Sequence, residues 1–163
     1  MLKNKILVPL LLAIFAILSC NIEAQAQGQS KLGFGLAYGT DIEEIGLQVR
    51  GDFKLGPVAS FAPNFTYFFV DGPFNFYTLN GDFHWNFYTS GGMHIYPLVG
   101  LNVTFYGFED IDTDSELGIN LGGGLHVPIT SNMDLYGEIK TVLGDEIVDQ
   151  AVVSFGLLFD IGR

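Results

Sequence analysis

Several kinds of residue are scarce in this chain, and each shortage removes a class of protein. There is one cysteine, Cys20, in 163 residues. A single thiol cannot form an intrachain disulfide or build a thiolate metal site. Basic residues are also few: 7 Lys and Arg stand against 18 Asp and Glu, a formal net charge of −11. Nucleic acid is excluded as a partner, because neutralising its phosphates requires a basic surface. Helical periodicity is missing from residue 27 onward, where no window repeats apolar residues at i, i+3, i+4 and i+7. No Gly-x-Ser-x-Gly elbow is present, which removes the commonest signature of a serine hydrolase.

The only long apolar run, Ile6 to Leu18, follows Lys3 and Lys5 and leads to Ala24-Gln25-Ala26. It is too short to span a bilayer as a helix. The order basic start, apolar run, small-x-small is that of a secretory signal peptide. Residues 1–26 are therefore expected to be removed, leaving one domain over 27–163. A second reading ends the signal at Ser19 and acylates Cys20. Without residues 1–26, which carry Lys3, Lys5 and Glu23, the remainder keeps 5 basic and 17 acidic residues, a net of −12.

Aromatics make up 14% of the chain and glycine contributes 21 residues, a composition suited to strands with tight bends and an aromatic surface. The clearest pattern runs from Tyr77 to Tyr106. Tyr77, Leu79, Gly81, Phe83, Trp85 and Phe87 alternate with Thr78, Asn80, Asp82, His84 and Asn86. After Tyr88–Gly92 the alternation restarts. Ile95, Pro97, Val99, Leu101, Val103 and Phe105 fall on one face, and His94, Tyr96, Leu98, Gly100, Asn102 and Thr104 on the other. Period two over ten or so residues matches the roughly 9–11 residues of a tilted transmembrane strand. Similar alternation predicts strands over Lys31–Gly39, Ile45–Leu55, Val58–Val70, Glu116–Val127, Met133–Leu143 and Gln150–Ile161, with a bulge at Pro63. The total is eight, joined alternately by plain turns and by acidic loops such as Phe108–Ser115. This is the pattern of an all-β, antiparallel, up-and-down barrel.

Two barrels share that count. A soluble lipocalin-like barrel would put the apolar face inside, and a transmembrane one would put it outside. The apolar face carries too many large aromatics to fit an interior that only just holds side chains. They also gather near strand ends, with Tyr38, Tyr67, Phe69, Tyr77 and Phe105 toward the loops and Phe53, Trp85, Phe87 and Phe159 toward the turns. Two girdles are what a bilayer selects. The polar face then lines the lumen, with Arg50, Asp52, Lys54, Asn80, Asp82, Glu138 and Lys140 inside.

At this point the chain resembles the small outer-membrane β-barrel proteins of Gram-negative bacteria. The resemblance covers the whole of 27–163. It is carried by the signal, by Leu79-Asn80-Gly81-Asp82-Phe83-His84-Trp85-Asn86-Phe87, by Tyr96-Pro97-Leu98-Val99-Gly100-Leu101-Asn102-Val103 and by Val153-Ser154-Phe155-Gly156-Leu157-Leu158-Phe159-Asp160-Ile161. It implies an outer-membrane location, lipid as the surroundings, and assembly by the outer-membrane insertion machinery. Many members end on an aromatic residue read by that machinery, whereas this chain ends Ile161-Gly162-Arg163. Family roles are diverse, so the resemblance implies place more than activity.

Three groups of residues are candidates for chemistry. Interior charges centred on Arg50, with Glu138 or Asp82 as partner, form either a plug or a gated ion path; a lumen this narrow favours the plug. His84, His94 and His126 share the inward face of neighbouring strands, where they are ordinary lumen histidines or metal ligands. Asp110, Asp112 and Asp114 have an Asp-x-Asp-x-Asp spacing that could offer oxygen ligands to Ca²⁺ or Mg²⁺, although Ser115 and Leu121 depart from the EF-hand pattern. The alternative is a solvated acidic tip. Ser60, Ser90, Ser131 and Ser154 offer no evident Ser–His pair, which disfavours a lipid-modifying enzyme. The expectation is a non-catalytic, monomeric barrel without cofactor, in a structural or surface-interaction role through its acidic loops.

Overall fold

A computed structural model describes residues 30–89, 91–108, 113–144 and 149–161. The expected signal segment lies outside the described residues, Cys20 with it. The strands are β1 (Lys31–Gly39), β2 (Glu44–Lys54), β3 (Ala59–Phe68), β4 (Phe74–Trp85), β5 (Phe87–Tyr88), β6 (His94–Phe108), β7 (Asp114–Thr130), β8 (Met133–Leu143) and β9 (Gln150–Asp160). The two-residue β5 continues β4 past Asn86, and both pair with β6. Eight staves therefore close the sheet, each antiparallel to its neighbours, with β1 bonded to both β2 and β9.

Why these segments form these strands follows from the alternation. On β4, Thr78, Asn80, Asp82 and His84 are buried in the lumen, while Leu79, Phe83 and Trp85 are exposed outside. A one-residue slip would exchange the two sets, so the register is firmly specified. Carried once round the barrel from Lys31 through positions 52, 62, 82, 100, 120, 142 and 150, the pairing returns to β1 at position 41, a shear of ten. Such a stagger tilts the strands and leaves an interior that side chains fill. Small inward residues make room for large ones. A side chain at Gly100 would collide with Asp82, and one at Gly124 would meet the Tyr96 hydroxyl at 2.6 Å.

Four expectations change. Pro63 carries no bulge: it stands opposite Gly81, and the β2–β3 offset is the same at Arg50↔Asn64 and Phe53↔Phe61. Proline removes a donor there without inserting a residue. The irregularity lies instead between Pro128 and Thr130. Next, the acidic loop is shorter than Phe108–Ser115, because Tyr106 pairs with Asp114 and Phe105 with Ser115. Third, Phe53 and Tyr77 are not open to the surroundings, at 8% and 7% exposure. Tyr77 is enclosed by Phe65 and stacks on Phe105 at 4.9 Å. Finally, the lumen is not polar throughout. Near the loops Ala37, Phe68, Phe76, Val142 and Val152 form an apolar cluster, with Ile42, Val70, Phe74 and Tyr106 packed against it.

Candidate functional site in the barrel lumen

From turns to loops the lumen is layered. At the turn end Lys31 Nζ bridges Asp134 (3.0 Å) and Asp160 (2.7 Å), joining β1, β8 and β9 where the barrel closes. Lys54 Nζ lies 3.8 Å from Asp52 Oδ1.

The next layer is built around Arg50 of β2 and Glu138 of β8, three staves apart round the barrel. Arg50 Nη2 donates to Glu138 Oε2 at 2.8 Å, and the Tyr96 hydroxyl donates to the same oxygen at 3.0 Å. The guanidinium sits 4.4 Å from the centre of the Tyr136 ring. Tyr136 in turn donates to Gln48 Oε1 at 3.0 Å. Arg50 is fully enclosed, at 0% exposure. A charge so placed is stable only because its partner is ionic and charge-assisted bonds hold it.

Above it is a second centre, Asp82 of β4. Its carboxylate accepts from Lys140 Nζ (2.7 Å), Asn64 Nδ2 (3.0 Å) and Asn120 Nδ2 (2.6 Å). An asparagine ladder crosses the lumen beside it. Asn80 donates to Asn64 at 3.0 Å and accepts from Asn102 at 2.8 Å and Asn120 at 2.9 Å. Asn64, Asn80 and Asn102 are cross-strand partners on β3, β4 and β6, so the register alone brings them level. Each amide can both give and accept, which lets a row of them link neighbouring strands without net charge. Sequence reasoning does not single out this ladder. Its signal is present, as inward asparagines on consecutive strands, but the pairing offsets are needed to align them.

The three histidines gather on the turn side. His84 stacks on Tyr96 with ring centres 4.0 Å apart. Its Nδ1 is 3.7 Å from Asp52 and its Nε2 is 3.7 Å from Glu138. His126 Nδ1 lies 4.0 Å from Asp52, and His94 meets His126 at 4.6 Å between ring centres. Among the described residues no group of three or more His, Cys, Asp or Glu is arranged to hold a metal ion. Of the acidic triple, Asp110 and Asp112 lie outside the described residues. Asp114 stands on β7, in the ladder opposite Tyr106.

Serine chemistry finds no support in the geometry. Ser60 is cross-strand partner to His84, yet its hydroxyl donates to Asp52 at 3.5 Å and accepts from Asn86 at 3.2 Å. Among the described residues no serine hydroxyl is hydrogen-bonded to a histidine, the contact that activates a nucleophile. Ser154 is buried in the lumen and Ser131 sits in an exposed turn; Ser90 lies outside the described residues.

A closed antiparallel barrel, polar within and apolar around its girth, is the architecture of the small transmembrane β-barrels. No family model matches the chain, and no curated protein matches it. Solved structures do. The N-terminal β-barrel domain of Pseudomonas aeruginosa OprF aligns with a TM-score of 0.66 at 18% identity, covering 84% of this chain and 100% of that one. Ail, the attachment invasion locus protein of Yersinia pestis, crystallised with the heparin analogue sucrose octasulfate, aligns at 0.61 and 13% identity, over 82% of this chain and 97% of that one. Neisserial surface protein A gives 0.58 at 16% identity, over 82% and 95%. At these identities the likeness is one of fold: the structural neighbours are eight-stranded outer-membrane β-barrels.

Proposed function

We propose that this protein is a non-catalytic outer-membrane barrel with a plugged lumen, acting as a structural or surface-interaction element through its loop end. One observation carries the reading: Arg50, Asp52 and Asp82 are fully buried inside, while Phe83, Leu101, Leu117, Ile139 and Phe155 are exposed outside. Water would penalise that exterior, and lipid accepts it. A lipocalin-like barrel would have the reverse arrangement. Monomeric behaviour fits because the eight staves close into a barrel, β1 pairing with β9 and β4 with β6, which leaves no full-length open edge for another chain to extend.

The loop end favours some partners over others. Asp41, Glu43, Glu44, Asp71, Asp114, Glu116 and Asp149 lie at or near it. Such a rim repels polyanions and attracts cations or basic partners. The sulfated ligand of the Ail crystal is therefore a poor guide to this chain. For the lipid-modifying alternative, no serine among the described residues is hydrogen-bonded to a histidine.

Folding into vesicles and planar-bilayer recording test the proposal together. The expected result is insertion, read as a compact form on unheated gels, with no steady conductance. A folded monomer that stays in water without detergent, or a stable open channel, would overturn it.

A further inference from the structure

The outer face has a notch that the alternating pattern does not explain. Three rows of side chains cross β3, β4, β6 and β7 at mid-height. They are Phe65–Leu79–Val103–Leu117, Pro63–Gly81–Leu101–Ile119 and Phe61–Phe83–Val99–Leu121. The middle row loses its wall at Gly81, which has no side chain, beside Pro63, whose ring is short. The result is a groove of about 480 Å³ lined by Phe61, Gly81, Phe83, Val99, Leu101 and Ile119, with the backbone of Gly100 beneath. Phe61 and Phe83 wall one side as a tilted pair, ring centres 5.1 Å apart. On the lumen side Gly81 is flanked by Asn80 and Asp82, in the middle of the polar layers. In a bilayer the groove therefore lies away from both headgroup regions.

We propose that this notch is a binding site for one hydrocarbon tail of a membrane lipid. The inference rests on the membrane reading above. The lining offers no side-chain hydrogen-bond donor or acceptor, so the occupant is hydrocarbon. Its size argues against a second copy of the chain: five side chains fall far short of the roughly 20–30 residues a side that a stable protein interface uses. Lipid tails are as apolar as leucine, so no hydrophobic gain separates this site from the rest of the barrel wall. The difference is packing. A concave slot with the Phe61–Phe83 pair along one side and the Gly100 backbone beneath touches a tail on more than one side, and any wall atom left facing a void forfeits its dispersion attraction. A flat wall touches the tail on one side.

Filling the slot from the protein side is the test. A Cβ at Gly81 would meet the tip of the Phe61 ring at 3.3 Å, a contact that a small swing of the ring relieves, whereas one at Gly137, on β8 across the barrel, meets nothing within 4 Å. Wild type, Gly81→Ile and Gly137→Ile would be folded into vesicles of a single saturated phosphatidylcholine. Unheated gel mobility checks insertion. The barrels are then moved to a mild detergent and weighed by native mass spectrometry. The expected result is one retained lipid per chain for wild type and Gly137→Ile, and about tenfold less of that species for Gly81→Ile, corresponding to about 1.4 kcal/mol. Bare wild type, or equal retention by Gly81→Ile, would overturn the site while leaving the membrane reading intact. So would a two-chain species that Gly81→Ile dissolves, since it would put a second copy in the slot. Failure of wild type to insert would overturn both.

Discussion

The middle of the lumen and its loop end are lined by the same inward positions of the same strands, yet they are held in opposite ways. In the middle, Arg50, Glu138, Asp82 and Lys140 are fixed by charge-assisted bonds of 2.7–2.8 Å. At the loop end Phe68 and Phe76 meet edge to face at 5.7 Å, within a cluster that has no charge. The polar middle is expensive to desolvate and intolerant of single losses. The apolar cap tolerates loss in proportion to the volume removed. In the proposed plug the two would act in series: ionic partners occupy the lumen, and an apolar cluster lies above them.

Breaking the middle should have the largest effect. Arg50→Ala strands the Glu138 carboxylate, and the expected loss is about 3–5 kcal/mol, as for other broken buried pairs. Urea titrations in one vesicle composition measure it. Pairing it with Glu138→Ala and the double variant sharpens the comparison, because the double variant should recover part of the loss if the penalty is an unpaired charge. Phe76→Ala tests the other region. Its expected cost is about 3 kcal/mol, the low end for a buried aromatic, because solvent from the loops can fill the space. No double-variant recovery with Phe68→Ala is expected. A cap variant that cost more than Arg50→Ala would reverse the ranking of the two regions.

The lipid-facing wall provides a control. Ile139→Arg, outward on β8 and well inside the strand, should cost about 2–4 kcal/mol, and Phe87→Arg, beside the turn, about 0–1 kcal/mol, following depth in the bilayer. Equal costs at the two positions would mean that no hydrocarbon band exists there. A smaller effect is expected within the asparagine ladder. Asn80→Ala leaves Asn64, Asn102 and Asn120 each short of a partner, and about 1–3 kcal/mol is expected for the unsatisfied groups. Asn80→Asp keeps an acceptor for Asn102 and Asn120 but adds a charge near Asp82, and should be worse than alanine.

Much of this is legible in the sequence, and what stays hidden has a physical cause. Alternation on Tyr77–Phe87 and Ile95–Phe105 marks the strands, and the face carrying Arg50, Asp82 and Glu138 points inward, because period two is set by the backbone itself. The apolar cap is hidden because Phe68 and Phe76 look like any other aromatics in an aromatic-rich chain. Only their parity with Thr66 and Thr78 marks them as inward. Pro63 suggests a bulge because its lost donor is visible in the sequence, while the constant offset between β2 and β3 is not. Alignment of Asn64, Asn80 and Asn102 likewise depends on pairing offsets, which strand patterns leave open.

The smallest expected effect concerns the acidic triple Asp110, Asp112 and Asp114, of which Asp114 alone lies among the described residues. Inside the lumen Glu138 is bound by Arg50 and Asp82 by Lys140 and two amides, as burial of a charge requires. Outside, water solvates a carboxylate, and no partner is required. Asp114 illustrates the difference: it is exposed, and it belongs to the β7 ladder opposite Tyr106 rather than to a free loop. A Ca²⁺ site built from Asp110, Asp112 and Asp114 would need the three carboxylates to converge within about 2.3–2.6 Å of one ion. A residue fixed in a sheet cannot turn toward a loop tip as a loop residue can. Calorimetry with Ca²⁺ should therefore give equal, nonspecific heats for wild type and for the Asp110→Asn, Asp112→Asn, Asp114→Asn triple variant. Saturable binding near 10⁻⁴–10⁻³ M, roughly the usual range of extracellular modules, that disappeared in the triple variant would show that the outer carboxylates also have an ion to hold, and the contrast between solvated rim and paired lumen would fail.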